Sequence, residues 1–138
     1  MSRKIARETV YKLIFEYLFN KGYATETKDL FLQDVSLTDD DRTYIDRVYR
    51  GVAENFEDLK EIIRNSAEGF DVDRIFKPDF SALLLAIYEM KYEDDIPLTV
   101  SISEAVDLVK NYSTEKSGAF VNGILASVYK NLSEKSNS

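Results

Sequence analysis

The stretch from Leu83 to Leu125 constrains the fold more than any other part of the chain, because it reads as three consecutive amphipathic helices with clear punctuation. Asp94, Asp95 and Ile96 lead into Pro97, a turn before a new helix start. Ser101 and Glu104 stand at capping-box spacing, and Ile102, Ala105, Val106 and Val109 then share one face. Further on, Phe120, Ile124, Val128 and Leu132 recur every four residues, with Val121, Leu125 and Tyr129 widening the stripe as a core-facing helix requires. The helix leading into this stretch opens at Pro78 and runs to about Tyr92. It is apolar nearly all round, which fits either burial on most sides or a patch that awaits a partner.

A chain of 138 residues, 44% of them hydrophobic, holds one domain with a sizeable core. Two prolines and five glycines among many helix formers favour an all-α fold. Cysteine and histidine are both absent. That excludes disulfides, Cys/His zinc sites and histidine-dependent nucleophilic triads. No cofactor is implied, and no carboxylate pair has the spacing of an acid/base site, so a non-enzymatic role is expected. No apolar run approaches membrane-spanning length, so a cytoplasmic protein is expected.

The rest of the chain divides into shorter helices. The first runs from a Ser2 cap to about Lys21, with Ala6, Val10, Leu13, Ile14 and Tyr17 inward and Gly22 as its C′ residue. A short helix over about 28–34 is expected to bury Leu30, Phe31 and Val35. Thr38 caps the next segment, whose first-turn acids Asp39, Asp40 and Asp41 suit the helix dipole and lack the alternate spacing of a calcium loop. Tyr44, Ile45, Val48, Tyr49 and Val52 point inward, Asn55 marks a break, and Phe56, Leu59, Ile62 and Ile63 continue the pattern. Gly123 is expected to mark close packing against a neighbouring helix. The reading is an all-α fold of about seven helices in two packed three-helix bundles. Residues 1–132 form a single domain with a subdomain boundary near 67–78, and 133–138 form a disordered tail.

The net charge of −7 speaks against nucleic acid, but its distribution does not. Residues 1–24 carry a net +3, residues 25–107 a net −12 and residues 108–138 a net +2. If the ends meet in the fold, one basic patch sits on an acidic body. On the first helix Lys4, Arg7, Tyr11 and Phe15 lie beside the core face. Cations interleaved with rings suit single-stranded RNA, where phosphates meet charge and unpaired bases stack. Solvated charges beside half-buried rings give the same pattern, and the residues alone leave both readings open.

Tyr88-Glu89, Pro97, Glu104-Ala105-Val106, Leu108, Lys110 and Phe120-Val121-Asn122-Gly123-Ile124-Leu125, with Ala6-Arg7-Glu8 in the first helix, resemble the bacterial NusB family of transcription antitermination factors. The resemblance spans nearly the whole chain. It implies binding of boxA-type RNA together with NusE, a small ribosomal-subunit protein, within an RNA polymerase antitermination complex at ribosomal RNA operons. It implies RNA contacts by Arg3, Lys4, Arg7, Tyr11 and Phe15 in the first helix and by Lys116, Phe120 and Asn122 near the last. It implies partner contacts on the apolar helix, at Asp79, Phe80, Leu83, Leu84 and Glu89. A homodimer stays open.

The chain departs from the family pattern in several places. Only Arg3 and Lys4 precede Arg7, where members carry a denser arginine run, so weaker RNA binding and more dependence on a partner are expected. Leu84 replaces an arginine and would enlarge an apolar contact surface. Lys116 and Ala126 replace acids, which removes negative charge near the RNA face. Two alternatives stand beside antitermination. One is a protein–protein module without RNA, suggested by the acidic total charge. The other is an RNA-binding domain serving a ribosomal RNA methyltransferase, which needs a catalytic domain beyond residue 138.

Overall fold

The computed structural model describes the backbone of residues 2–136 and the side chains of 3–133. Among these residues lie seven α-helices: α1 (Ser2–Asn20), α2 (Thr25–Leu32), α3 (Asp39–Glu54), α4 (Phe56–Ser66), α5 (Lys77–Tyr92), α6 (Leu98–Tyr112) and α7 (Glu115–Ser136). A 3-10 turn, Val72–Arg74, precedes α5.

Local chemistry explains most of the boundaries. The Thr38 hydroxyl accepts from the Asp41 N–H at 3.1 Å, and the Asp41 carboxylate accepts from the Thr38 N–H at 3.5 Å, a reciprocal capping box that starts α3. At its other end the Asn55 amide donates to the Gly51 carbonyl at 2.8 Å and closes the helix. Thr114 caps α7 by accepting from the Ser117 N–H at 3.1 Å, so this helix begins at Glu115, earlier than Ser117. It continues to Ser136, into the stretch expected to be a tail, and positions 137–138 lie outside the described residues. Ser2 opens α1, but its side chain also lies outside them.

Three local expectations change. At the end of α1 the left-handed residue is Lys21, at φ 59°, and Gly22 follows it, donating to the Tyr17 carbonyl at 3.3 Å. Helix α6 begins at Leu98, so Ser101 lies inside it and its hydroxyl serves another helix. Of the residues expected inward here, Leu30 of α2 and Val35 in the turn after it are 68% and 95% exposed, whereas Lys28 is buried. Lys28 Nζ donates to Asp46 Oδ1 at 2.6 Å and to Tyr23 Oη at 3.0 Å. On an eight-residue helix with few apolar side chains, these directional bonds, to Asp46 of α3 and to Tyr23 just before α2, decide which face turns inward.

Helix α5 is the axis of the fold. It packs against α1 and α3 on one side and against α4, α6 and α7 on the other, and every residue from Asp79 to Met90 is buried. The two bundles therefore share this helix, and its all-round apolar sequence reflects neighbours in every direction. Helix α4, although it precedes residues 67–78, packs on α5 and α7.

Glycine packing also differs from expectation. A Cβ on Gly123 would meet nothing within 4 Å, so close packing is not its reason. A Cβ on Gly51 would lie 2.3 Å from the Tyr88 ring, so there the backbone of α3 approaches α5 closely. Gly51→Ala is expected to destabilise by about 1–3 kcal/mol through overpacking. Gly123→Ala is expected to stabilise by up to about 1 kcal/mol through helix propensity. Urea denaturation of the two variants checks both signs.

Candidate nucleic-acid interface

At 100° per residue Lys4, Glu8, Lys12, Phe15 and Phe19 fall within an arc of about 80° on α1. In the structure this arc is the outer face, with Lys4 and Lys12 exposed and the rings of Phe15 and Phe19 open to solvent. The middle of α1 meets the end of α6. The Tyr11 and Tyr112 rings lie 5.7 Å apart, Lys12 Nζ sits 5.4 Å from the Tyr112 ring centre, and Tyr112 Oη donates to Glu8 at 3.4 Å. Since α7 starts three residues after Tyr112, the contact brings the start of the second basic segment beside the first. Lys110 and Lys116 are exposed, and the stem of Lys110 runs along Gly118 of α7, 3.1 Å from where a Cβ would stand.

Two residues expected on this face are turned inward. Arg7 is 8% exposed, and its Nε donates to Glu89 Oε2 at 3.0 Å. Burial alone would lower its pKa, but the adjacent Glu89 carboxylate outweighs that and raises it. Tyr11 is buried, and its hydroxyl has no hydrogen-bond partner among the described residues. Helix α1 packs on both α3 and α5, so it buries a wider arc than a helix with one neighbour, and the flank holding Arg7 and Tyr11 falls inside that arc. Arg3 is partly exposed but engaged, 2.6 Å from Asp40, 3.2 Å from Asp41 and 4.3 Å from the centre of the Tyr44 ring. Arg7 and Tyr11 are thus enclosed within the fold, whereas Lys4 and Phe15 lie on the open face.

Phe120 is half-buried, edge-on to Phe70 at 5.0 Å, and Asn122 is exposed beside Ile102, Val106 and Lys110. Phe120 also borders a recess of about 480 Å³ formed with Phe70, Ile75, Phe76 and Asp79.

The five expected partner residues share one fate: Asp79, Phe80, Leu83, Leu84 and Glu89 are all buried. Leu84 is fully enclosed, so the loss of an arginine there enlarges no surface. Asp79 accepts from Ser113 at 3.1 Å and ties the start of α5 to the α6–α7 turn. Exposed aromatic surface lies instead at Phe70 and Phe76, which precede α5. Sequence reasoning missed Lys12 and Tyr112. The spacing of Lys4, Glu8 and Lys12 by fours was the available signal for the first, while nothing local marked the second.

The geometry defines an all-helical protein, with a lysine and aromatic strip on α1, Tyr112 at the end of α6 packed against it, and a recess at the head of α5. The family model described as "NusB family" matches residues 4–130. A transcription antitermination protein NusB from Ruminiclostridium cellulolyticum is 45% identical over 130 residues, 94% of this chain and 90% of that protein. A NusB structure from T. maritima superposes with a TM-score of 0.84 at 32% identity, covering 94% of this chain and 92% of that one. A crystal structure of antitermination factors NusB and NusE in complex with dsRNA gives a TM-score of 0.83 at 25% identity, over 94% and 97% of the two chains. This chain belongs to the NusB family, whose members are non-enzymatic transcription antitermination proteins. No described helix is long and apolar enough to cross a membrane.

Burial first, then Asp79 and Tyr112, pushes the Tyr11 hydroxyl up to about 12 from its ordinary value of 10. Because burial disfavours the phenolate, stability is undiminished by this group below pH 10 and falls as pH rises towards 12. Tyr11→Phe is expected to remove that part of the alkaline loss. It should also stabilise by about 1 kcal/mol at pH 7, because a buried hydroxyl without a partner disappears. Thermal melts from pH 7 to 12 check both.

Proposed function

We propose that this protein is a cytoplasmic antitermination factor that binds boxA-type RNA together with NusE, within the RNA polymerase antitermination complex on ribosomal RNA operons. The supporting observation is the lysine and aromatic strip on α1, with Tyr112 of α6 packed against it and Lys110 and Lys116 exposed on the adjoining α6–α7 stretch. Exposed lysines supply phosphate contacts and Phe15 supplies a stacking surface, the two components of single-strand binding. Arg3 and Arg7 are already held by carboxylates, so the free cationic set is small and NusE provides the remaining affinity. The recess at the head of α5, with Phe76 and Phe70 open and Asp79 in its wall, is the proposed NusE face. It adjoins Phe120, so RNA and NusE would lie side by side.

Fluorescence anisotropy of a boxA RNA and a scrambled control, with and without NusE, tests this. Selective binding that strengthens with NusE is expected, with a log–log salt slope of about −2 to −3 for three or four phosphate contacts. Lys116→Glu should weaken RNA binding about 3- to 10-fold, since it reverses a charge at the phosphate track. Phe76→Glu should impair NusE capture while leaving the salt slope for RNA unchanged. Binding that ignores RNA sequence and salt while NusE still associates would instead favour a protein–protein module.

A further inference from the structure

The first two turns of α1 carry the lysine of the RNA strip, yet little apolar surface holds them in place. Ala6 and Val10 are their buried apolar residues, and Ile5 is 37% exposed. Both are small, and apolar contact is non-directional, so burial alone sets the rotation of this segment weakly. Directional bonds do the rest. Arg7 Nε donates to Glu89 Oε2 at 3.0 Å, Ser101 Oγ donates to Glu89 Oε1 at 2.9 Å, and Tyr44 Oη donates to Glu89 Oε2. Arg3 lies over the Tyr44 ring on the same side of α1. Side-chain tips stand about 5–6 Å from a helix axis, so a rotation of about 20° carries each by about 2 Å. That shift is enough to break a phosphate contact.

We infer that Arg7 is a positioning residue for RNA binding: through Glu89 it fixes the first two turns of α1 so that Lys4 meets RNA together with Lys12 and Phe15. This rests on the RNA-binding reading above. Arg7 itself touches no phosphate in this arrangement, because its side chain is buried and its Nε bonds a carboxylate inside the protein. Glu89 and Ser101 belong to the same device, although neither reaches the surface.

The salt dependence of RNA affinity separates positioning from contact. A lost single-strand phosphate contact flattens the log–log slope by about 0.7, whereas a lost positioning bond weakens binding equally at every salt concentration. The wild-type protein, Lys4→Ala, Arg7→Met and the double variant Arg7→Met/Glu89→Met are titrated against labelled boxA RNA at several salt concentrations, well below each melting temperature. Lys4→Ala is expected to flatten the slope by about 0.7. Arg7→Met should bind about 5- to 10-fold more weakly with the wild-type slope, because Glu89 loses its cation and α1 its anchor. The double variant should return to within about twofold of wild type, since an apolar pair of similar volume replaces the ion pair.

Arg7→Met with a flattened slope, unrescued in the double variant, would overturn the inference in favour of direct contact. Arg7→Met with unchanged affinity would overturn it in favour of a purely structural pair. If Arg7→Met does not fold, Ser101→Ala gives the decision. It removes one donor from Glu89 far from the strip, and should weaken binding two- to threefold at constant slope; unchanged affinity would overturn the inference. Wild-type protein that binds no RNA at any salt would sink the RNA reading and this inference together, whereas an Arg7-dependent slope sinks the inference alone.

Discussion

A single carboxylate buried in the most apolar helix organises this protein. Glu89 is 1% exposed, amid Leu85, Ala86, Ile87, Tyr88 and Met90. An isolated charge in such a place costs several kcal/mol, so it persists only where donors surround it. The donors come from three helices: Arg7 of α1, Tyr44 of α3 and Ser101 of α6. Burial, then the charge of Glu89, holds the Tyr44 hydroxyl well above its ordinary pKa, so it stays protonated and donates. Apolar packing brings the helices together, and the four-way junction at Glu89 adds a directional constraint on how they sit. The other two buried carboxylates at the ends of α5 extend the pattern. Asp79 holds the α6–α7 turn through Ser113, and Glu93 takes a two-point bond from Arg47 of α3 at 2.6 and 3.0 Å.

This arrangement separates structural charge from functional charge. The arginines at the start of α1 are drawn inward, Arg7 to Glu89 and Arg3 to Asp40 and Asp41, while lysines remain outside. Arginine is suited to fixed, partly buried pairing by its planar fork, and lysine to a mobile surface charge. The strip on α1 is therefore a small positive field on a body of net charge −7. Beyond about 10 Å at ordinary ionic strength that body is screened, so the local lysines set the field over this face.

The same division shows how the two proposed faces stay distinct. The proposed RNA face is made of exposed side chains on α1 and the start of α7, whereas the proposed protein face is made of the rings that lead into α5. Phe120 borders both, packed edge-on against Phe70. The interior of α5 serves neither face directly and acts as the frame on which both are mounted.

Much of this was legible in the sequence. The all-α class, the Thr38 cap, the Asn55 break, the inward set of α3 and the burial of α5 all rest on patterns within one or two turns of chain. Local chemistry dictates such patterns, and the fold preserves them. The NusB resemblance was legible too, because its motif residues carry packing and function in a fixed order. What the sequence left undecided depends on partners distant in the chain. Whether Arg7 faces RNA or a carboxylate turns on Glu89, 82 positions away. Whether Gly51 or Gly123 is the tight glycine turns on where Tyr88 lies. Leu30 and Val35 stay exposed because Lys28 finds Asp46 on α3. Helical periodicity states which residues share a face; only the tertiary structure decides what that face meets, because a buried charge selects its donors across the whole fold.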